Sequence, residues 1–418
     1  MYGYIYSSLS QRKDPIDIII IGLGFMGFGF LSGIAHIPGL RIPLIISRRP
    51  QETVDFLIDK GFNAVVEDDS KKIKDNAQKG LISVSSNLDL ISTYENKYVI
   101  EMTGTVNYGA QAALATLNSG KHLITMNPEL QSTLGTQLKE IADTKKLNIT
   151  DVYGDQPGSL ARLMYHSKMM GFRPIVAGNM KRYRDNYATQ EKMKKCAEDK
   201  GLAVRQTVSF TDGTKQAIEM TLVANYFGMD ILRPGMKGIQ VDNIRDTLDA
   251  FKDEAIPDEG IVDYAIGINL FPGVFVIAEH TSPHQQKYLK YLNMGDGPRY
   301  VLFDAYHLCH LEVANTIAQL ELTGKESVNN GSKPTTSTIA YAKQDLNIGD
   351  VIDGIGGDMV RGDIVRFEDG KNSVPVGLSE GALVIKNISK DSPIDLQSVK
   401  LPNNTATKLW KGEHVETE

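Results

Sequence analysis

The sequence predicts an α/β chain: a doubly wound parallel sheet first, an α+β domain second and a small β-rich domain last. Three observations lead there. Short β-rich runs alternate with longer helical stretches from residue 16 to about 155, the mark of a parallel sheet covered by helices. The pattern then changes, mixing strands such as GVFVIAEHT with loops and helices up to about 306. A polar stretch with Gly and Pro, SVNNGSKPTTS (327–337), reads as a linker and precedes short strands separated by turn residues.

Taken in order, the first region contains IDIIIIG, RIPLIIS, GLISVS, KYVIEMTG, KHLITMN and NITDVYG as strands. The boundaries expected are 1–155, 156–332 and 333–418, with VRQTVSFTDG read as a strand within the second part. HLCHLEVANTIAQLEL (307–322) reads as a helix returning to the preceding domains, with Leu311, Ala314, Ile317, Ala318 and Leu322 on its apolar face.

Composition narrows the function. A net charge of −6 argues against a nucleic-acid partner, whose electrostatic footprint is basic. No apolar run reaches the roughly 18 residues of a membrane span. Two cysteines, Cys196 and Cys309, are too few for a disulfide framework and agree with a reducing compartment. The first 15 residues lack the basic start and apolar core of a signal peptide, so the cytoplasm is expected. Small-molecule chemistry becomes the leading class.

The most informative stretch is IIIIGLGFMGFGF (18–30), with Gly22, Gly24 and Gly27 spaced G-x-G-x-x-G after an apolar strand. Gly22 suits a tight turn, Gly24 the approach of a pyrophosphate and Gly27 close helix–strand packing. The phosphates would meet the helix N-terminus, beside Phe25 and Met26. This is the signature of a Rossmann dinucleotide site. The second strand ends in Ser47, Arg48 and Arg49 with no acid to take a ribose 2′-hydroxyl, which predicts NADP(H) over NAD(H). Thr103 and Gly104, ending another strand, are expected beside the nicotinamide ribose, and Asn127 and Glu129 near the reacting ring.

Candidate chemistry follows in the second region. Asp155, with Gln156 behind it, opens a helix; it reads as a hydroxyl or metal ligand, or simply as a helix cap. Asn179, Lys181, Arg182 and Arg184 follow an apolar run, as a phosphate or carboxylate site or a solvated surface. Asp212, Thr214 and Lys215 lie before a helix carrying Glu219 and Asn225, and Lys215 is the first candidate to stabilise an oxyanion or move a proton. His307 and His310 would share one helical face, lining an active site, holding a metal or serving the core.

Together GLGFMG, EMTG, GDQPG, AGNMK, FTDGTK, GDGPRYV and YHLCHLE resemble the homoserine-dehydrogenase-like oxidoreductases with a C-terminal SAF domain. That group includes deoxyxylulose-phosphate-reductoisomerase-like enzymes. The resemblance implies a substrate domain that also dimerises, so a homodimer or higher homo-oligomer, and an SAF module over LNIGDVIDGIGG and LSEGALVIKNISKDSPI. It implies NADPH-dependent reductoisomerisation of 1-deoxy-D-xylulose 5-phosphate, with Lys215, Lys181 and Asp155 in catalysis. Glu129, Gln156, Asn179, Arg182, Asp212, Thr214 and His307 would bind substrate, and Glu129 and Asp155 would hold Mg²⁺ or Mn²⁺. Pro128 departs from the family pattern. Reduction of aspartate semialdehyde, reduction of another sugar derivative and a non-catalytic NADP(H)-responsive protein are the alternatives.

Overall fold

Apolar β-branched runs form the centre of the first sheet. The computed structural model describes residues 2–415. Strands β1 (Ile16–Ile21), β2 (Leu40–Ile46), β3 (Ala64–Val66), β4 (Ile82–Ser85), β5 (Tyr98–Glu101), β6 (His122–Thr125) and β7 (Ile149–Asp151) are ordered β3-β4-β2-β1-β5-β6-β7. Every pairing is parallel. Buried on both faces, β1 needs an unbroken apolar run, and Ile18 to Ile21 are fully enclosed. This is the Rossmann-like sheet expected from the alternation.

The second sheet is mixed. Its strands are β8 (Arg173–Lys181), β9 (Ile239–Gln240), β10 (Ile261–Ile266), β11 (Val274–Glu279) and β12 (Arg299–Asp304), ordered β12-β11-β8-β10-β9. The helices Gln156–Met169 and Thr214–Phe227 pack on β8, and Met164, Met220, Val276 and Tyr300 share one core. There follow β13 (Thr336–Ala342) and β14 (Val360–Arg366), an antiparallel pair, and then the short antiparallel pair β15 (Leu383–Val384) and β16 (Val399–Lys400).

Three expectations change here. VRQTVSFTDG forms no strand; Val204–Thr211 is a helix. Its Val and Thr residues suggested a strand, but Val204, Thr207, Val208 and Thr211 recur at i, i+3, i+4 and i+7, one helical face. Nor do residues 327–330 form a free linker. They are buried, with the Val328 carbonyl accepting from Asp151 N–H at 2.8 Å and Asn329 Nδ2 donating to the Ile149 carbonyl at 3.1 Å, so they run as a strap along β7. The returning helix is Cys309–Thr323, which leaves His307 before its first turn and off the face of His310. Val313, Ile317 and Ala318 join the first sheet's core, whereas Leu311 and Leu322 stay exposed.

The C-terminal segment is joined to both preceding regions. Ile218, from the Thr214–Phe227 helix, shares a core with Ala340, Val360 and Val376. The terminal helix, Thr405–Trp410, sends Ala406 and Leu409 into a core with Leu114 and Leu134. No helix among the described residues is long and apolar enough to cross a membrane.

Candidate active site

The glycine turn connects β1 to the helix Phe25–Ile34. Gly22 has φ +89°, and a methyl on Gly27 would fall 2.7 Å from the Gly22 carbonyl oxygen. A methyl on Gly24 would meet nothing within 4 Å, so this backbone faces open space at the helix N-terminus. The donor geometry therefore fits a dinucleotide pyrophosphate. A cleft of about 330 Å³ runs over Gly22 and Gly24 to Ser47, Arg48 and Arg49. Ser47 Oγ lies 2.7 Å from Thr53 Oγ1, and Arg48 sits over the Tyr108 ring at 5.5 Å. Arg49 is an exposed cation paired with Glu52 at 2.9 Å.

A second cleft of about 720 Å³ shares Gly24, Met102 and Thr103 with the first, so the two form one groove. Phe25, Met26 and Gly104 line it as expected. Asn127 does not. Fully buried, it caps the helix Pro128–Thr144 through Leu130 N–H and donates to Glu101 Oε1 at 3.2 Å and the Thr105 carbonyl at 3.0 Å. Glu101, overlooked in the sequence, is enclosed at the end of β5 and also accepts from Thr103 N–H at 2.7 Å and Thr125 Oγ1 at 2.9 Å. Burial raises its pKa against the pull of those donors.

Lys215 and Glu129 line the second cleft. Gly213, at φ +89°, starts the helix that carries Lys215, and Pro128 starts the one that carries Glu129. Lys215 Nζ lies 3.0 and 3.2 Å from the two Glu129 oxygens, with the side chains only 13% and 12% exposed. Burial works against the ammonium, but Glu129, Asp155 and Glu219 outweigh it and its pKa is raised. Lys215 is a persistent cation at neutral pH.

Behind it lies a buried polar network. Lys181 Nζ donates to Gln156 Oε1 at 2.7 Å and pairs with Glu219 Oε2 at 3.4 Å. Asn179 bridges the same two groups at 3.2 and 3.1 Å, and Gln216 donates to Asn179 Oδ1 at 3.1 Å. Glu219 is pushed up in pKa by burial, with Lys181 opposing. Asp151, fully enclosed at the end of β7, is raised by burial and by Asp155. Half-buried His307 has its pKa lowered by burial, with Asp155 opposing and Lys181 adding to the fall. Lys181, Gln156 and Asn179 thus share one network with Glu219, and Lys215 acts electrostatically on Glu219 and His307, but none of these residues lines the cleft.

Other expected ligands are committed elsewhere. Asp155, 5% exposed, caps its helix through Gln156 N–H at 3.0 Å. Asp212 pairs with buried Lys343 at 2.7 Å, and Thr214 Oγ1 accepts from Gly362 N–H at 2.8 Å, tying the C-terminal segment down. Arg182 Nε donates to the Leu270 carbonyl at 3.1 Å, and Arg184 reaches Asn186 at 2.7 Å. The magnesium or manganese expectation finds no fitting donor set: Glu129 is taken by Lys215, and no group of three His, Cys, Asp or Glu able to hold a metal occurs among the described residues.

Arg205 and Glu380 also line the second cleft and were not singled out in the sequence. Reading 204–211 as a strand hid Arg205. The glycine-rich turn DGIGGD that supports it, residues 353–358, was a signal available in the sequence.

A family model described as the catalytic domain of the oxidoreductase DRL matches residues 154–313. With the dinucleotide groove, this makes the chain an NAD(P)-dependent oxidoreductase. No curated protein matches the chain. Similar solved structures include that of yvaA of Bacillus subtilis, 15% identical over 75% of this chain and 91% of that one, TM-score 0.37. Another is myo-inositol 2-dehydrogenase of Lactobacillus plantarum, 11% identical over 75% and 91%, TM-score 0.39. A third is the 1-deoxy-D-xylulose 5-phosphate reductoisomerase of Zymomonas mobilis in complex with NADPH, 12% identical over 75% and 82%, TM-score 0.38.

Proposed function

We propose that the protein is an NADPH-dependent reductase of a small phosphorylated, sugar-like carbonyl compound, of the deoxyxylulose-phosphate-reductoisomerase-like kind. The observation that carries this reading is Lys215, a buried cation in a cleft continuous with the dinucleotide groove. NADPH would supply the hydride to the carbonyl carbon. Lys215 would stabilise the negative charge that then gathers on the carbonyl oxygen, and the alkoxide would take up one proton. Glu129 aims the ammonium, and Lys181, Asn179 and Gln156 brace the wall behind it.

Ser47, Arg48 and Arg49 support NADP(H) as the cofactor, because two guanidinium groups and a hydroxyl suit a 2′-phosphate. We include in the proposal a homo-oligomer, a cytoplasmic location and an SAF-like character for residues 333–418. No step is routed through a metal, since the expected ligands are committed elsewhere.

The test is NADPH oxidation by the purified protein with 1-deoxy-D-xylulose 5-phosphate and, in parallel, aspartate semialdehyde. Consumption with the sugar phosphate, lost in Lys215→Ala, is expected. Consumption with aspartate semialdehyde alone would replace this reading by a homoserine-dehydrogenase-type activity. NADPH binding without turnover of either would remove the sugar phosphate as substrate.

A further inference from the structure

The second cleft is lined by two cations, Lys215 and Arg205, and two carboxylates, Glu129 and Glu380. They form two unlike pairs. Lys215 and Glu129 are enclosed, whereas Arg205 and Glu380 meet at 3.3 Å with side chains 42% and 67% exposed. An exposed pair contributes little and can be exchanged for another partner, while a buried pair cannot be opened cheaply.

Arg205 is nonetheless held in place. Its Nη2 donates to the carbonyls of Asp353 and Ile355, the latter at 3.1 Å. Among the described residues its Nε and Nη1 donors have no protein partner. The loop that anchors it is shaped around it: a methyl on Gly356, at φ +72°, would fall 2.0 Å from the Arg205 carbonyl oxygen. A methyl on Gly354 would fall 2.5 Å from Glu380 Cβ. The Asp353 carboxylate in turn accepts from Asp358 N–H and Met359 N–H and closes the loop. Held at Nη2, the guanidinium keeps its Nε and Nη1 N–H donors free for charge-assisted hydrogen bonds to the oxygens of an anion.

We propose that Arg205, set by the loop 353–358, binds the phosphate head group of the carbonyl substrate, displacing Glu380 as it does so. This rests on the reading of the protein as a reductase of a phosphorylated carbonyl compound. It also moves the anion site away from Lys181 and Arg182, whose side chains are engaged with Gln156 and the Leu270 carbonyl. The C-terminal segment thereby contributes to substrate choice, because it supplies both Glu380 and the carbonyls that hold Arg205.

The test titrates inorganic phosphate into NADPH-saturated protein by calorimetry, for wild type, Arg205→Met and Glu380→Gln, with NADPH affinity measured separately. Arg205→Met should weaken phosphate binding about tenfold to a hundredfold, the range of a charge-assisted contact. Glu380→Gln should tighten it, and NADPH affinity should stay within about twofold in both. With 1-deoxy-D-xylulose 5-phosphate, Arg205→Met should raise KM far more than it lowers kcat. Equal phosphate affinity in wild type and Arg205→Met, no phosphate binding at all, or a loss confined to NADPH would overturn the proposal. Turnover of the sugar phosphate with an unchanged KM in Arg205→Met would sink the subsite and leave the reductase reading standing. Loss of phosphate binding in a protein that never reduces the sugar phosphate would do the reverse.

Discussion

Replacing Lys215 by Met separates chemistry from structure at the centre of the site. The substitution keeps an apolar stem and removes the cation held 3.0 and 3.2 Å from the Glu129 oxygens. If Lys215 meets the developing oxyanion, its loss removes a preorganised donor worth about 2.7–4 kcal/mol, or about a hundredfold to a thousandfold in kcat. Breaking a buried pair from one side also destabilises, by about 3–5 kcal/mol, because the carboxylate is left unpaired. The double variant Lys215→Met with Glu129→Gln should recover much of that stability but none of the activity. Stability from the raised Lys215 pKa is complete below the unfolded value of 10.5 and lost as pH rises through the higher folded one. The stability gap between wild type and Lys215→Met should therefore narrow above that pH. The assays are urea unfolding and single-turnover NADPH oxidation. A double variant that regains activity along with stability, or a Lys215→Met enzyme with kcat within about threefold of wild type, would refute the catalytic assignment.

Three further expectations follow from the same structure. Replacing Arg48 and Arg49 by Ala should weaken NADPH binding about tenfold to a hundredfold and leave NADH nearly unchanged; equal losses in fluorescence titrations would contradict a 2′-phosphate site. Asp263, on β10, has its pKa raised to about 6 by burial, against the pull of N–H donors from Gly238, Tyr264 and Lys237. Its native proton stabilises the fold below the unfolded value of 3.8, and that contribution disappears as pH rises through about 6. Wild type should therefore lose about 2 kcal/mol relative to Asp263→Asn between pH 4 and 7, and parallel urea-unfolding profiles would rule this out. Leu409→Ala, in the core shared by the terminal helix and the first domain, should cost about 2–5 kcal/mol in thermal or urea unfolding. A cost below about 1 kcal/mol would mean that the terminal helix is only loosely docked.

The first sheet was legible because six of its strands are apolar runs ending in turn residues. The seventh, β3, was not: its three residues are only partly buried at the sheet edge, whereas the equally short β7 at the opposite edge is fully buried. The dinucleotide turn was legible because a backbone requirement is written directly as glycine. Lys215 could be singled out by its residue type and setting, but its partner Glu129 lies 86 positions away and only the fold joins them. Asn127, Asp212 and Thr214 looked equally suited to a ligand. They are consumed by backbone amides, a helix cap and a buried ion pair, demands that a linear sequence does not display. The helix 204–211 misled for a local reason, since Val and Thr favour strands until their spacing is counted.

The course of the chain explains why the cleft includes the C-terminal segment. After the second sheet, the returning helix enters the core of the first, and residues 327–330 run beside β7. That route delivers β13 to the helix carrying Lys215, where Thr221 and Thr338 hydroxyls meet at 2.8 Å and Ile218 enters the C-terminal core. Lys343 reaches back from the segment to Asp212 and to the Ala188 carbonyl, both within 2.9 Å, and also donates to the Gly357 carbonyl within the segment. A lid that swung freely would have to strip a buried ammonium of these partners, at a cost of several kcal/mol. The wall formed by Val376, Gly377 and Leu378 is thus held against its own chain's cleft by the same contacts that hold the Lys215 helix. Among the described charged residues that line the cleft, Arg205 and Glu380 form the exposed pair, so rearrangement costs least there.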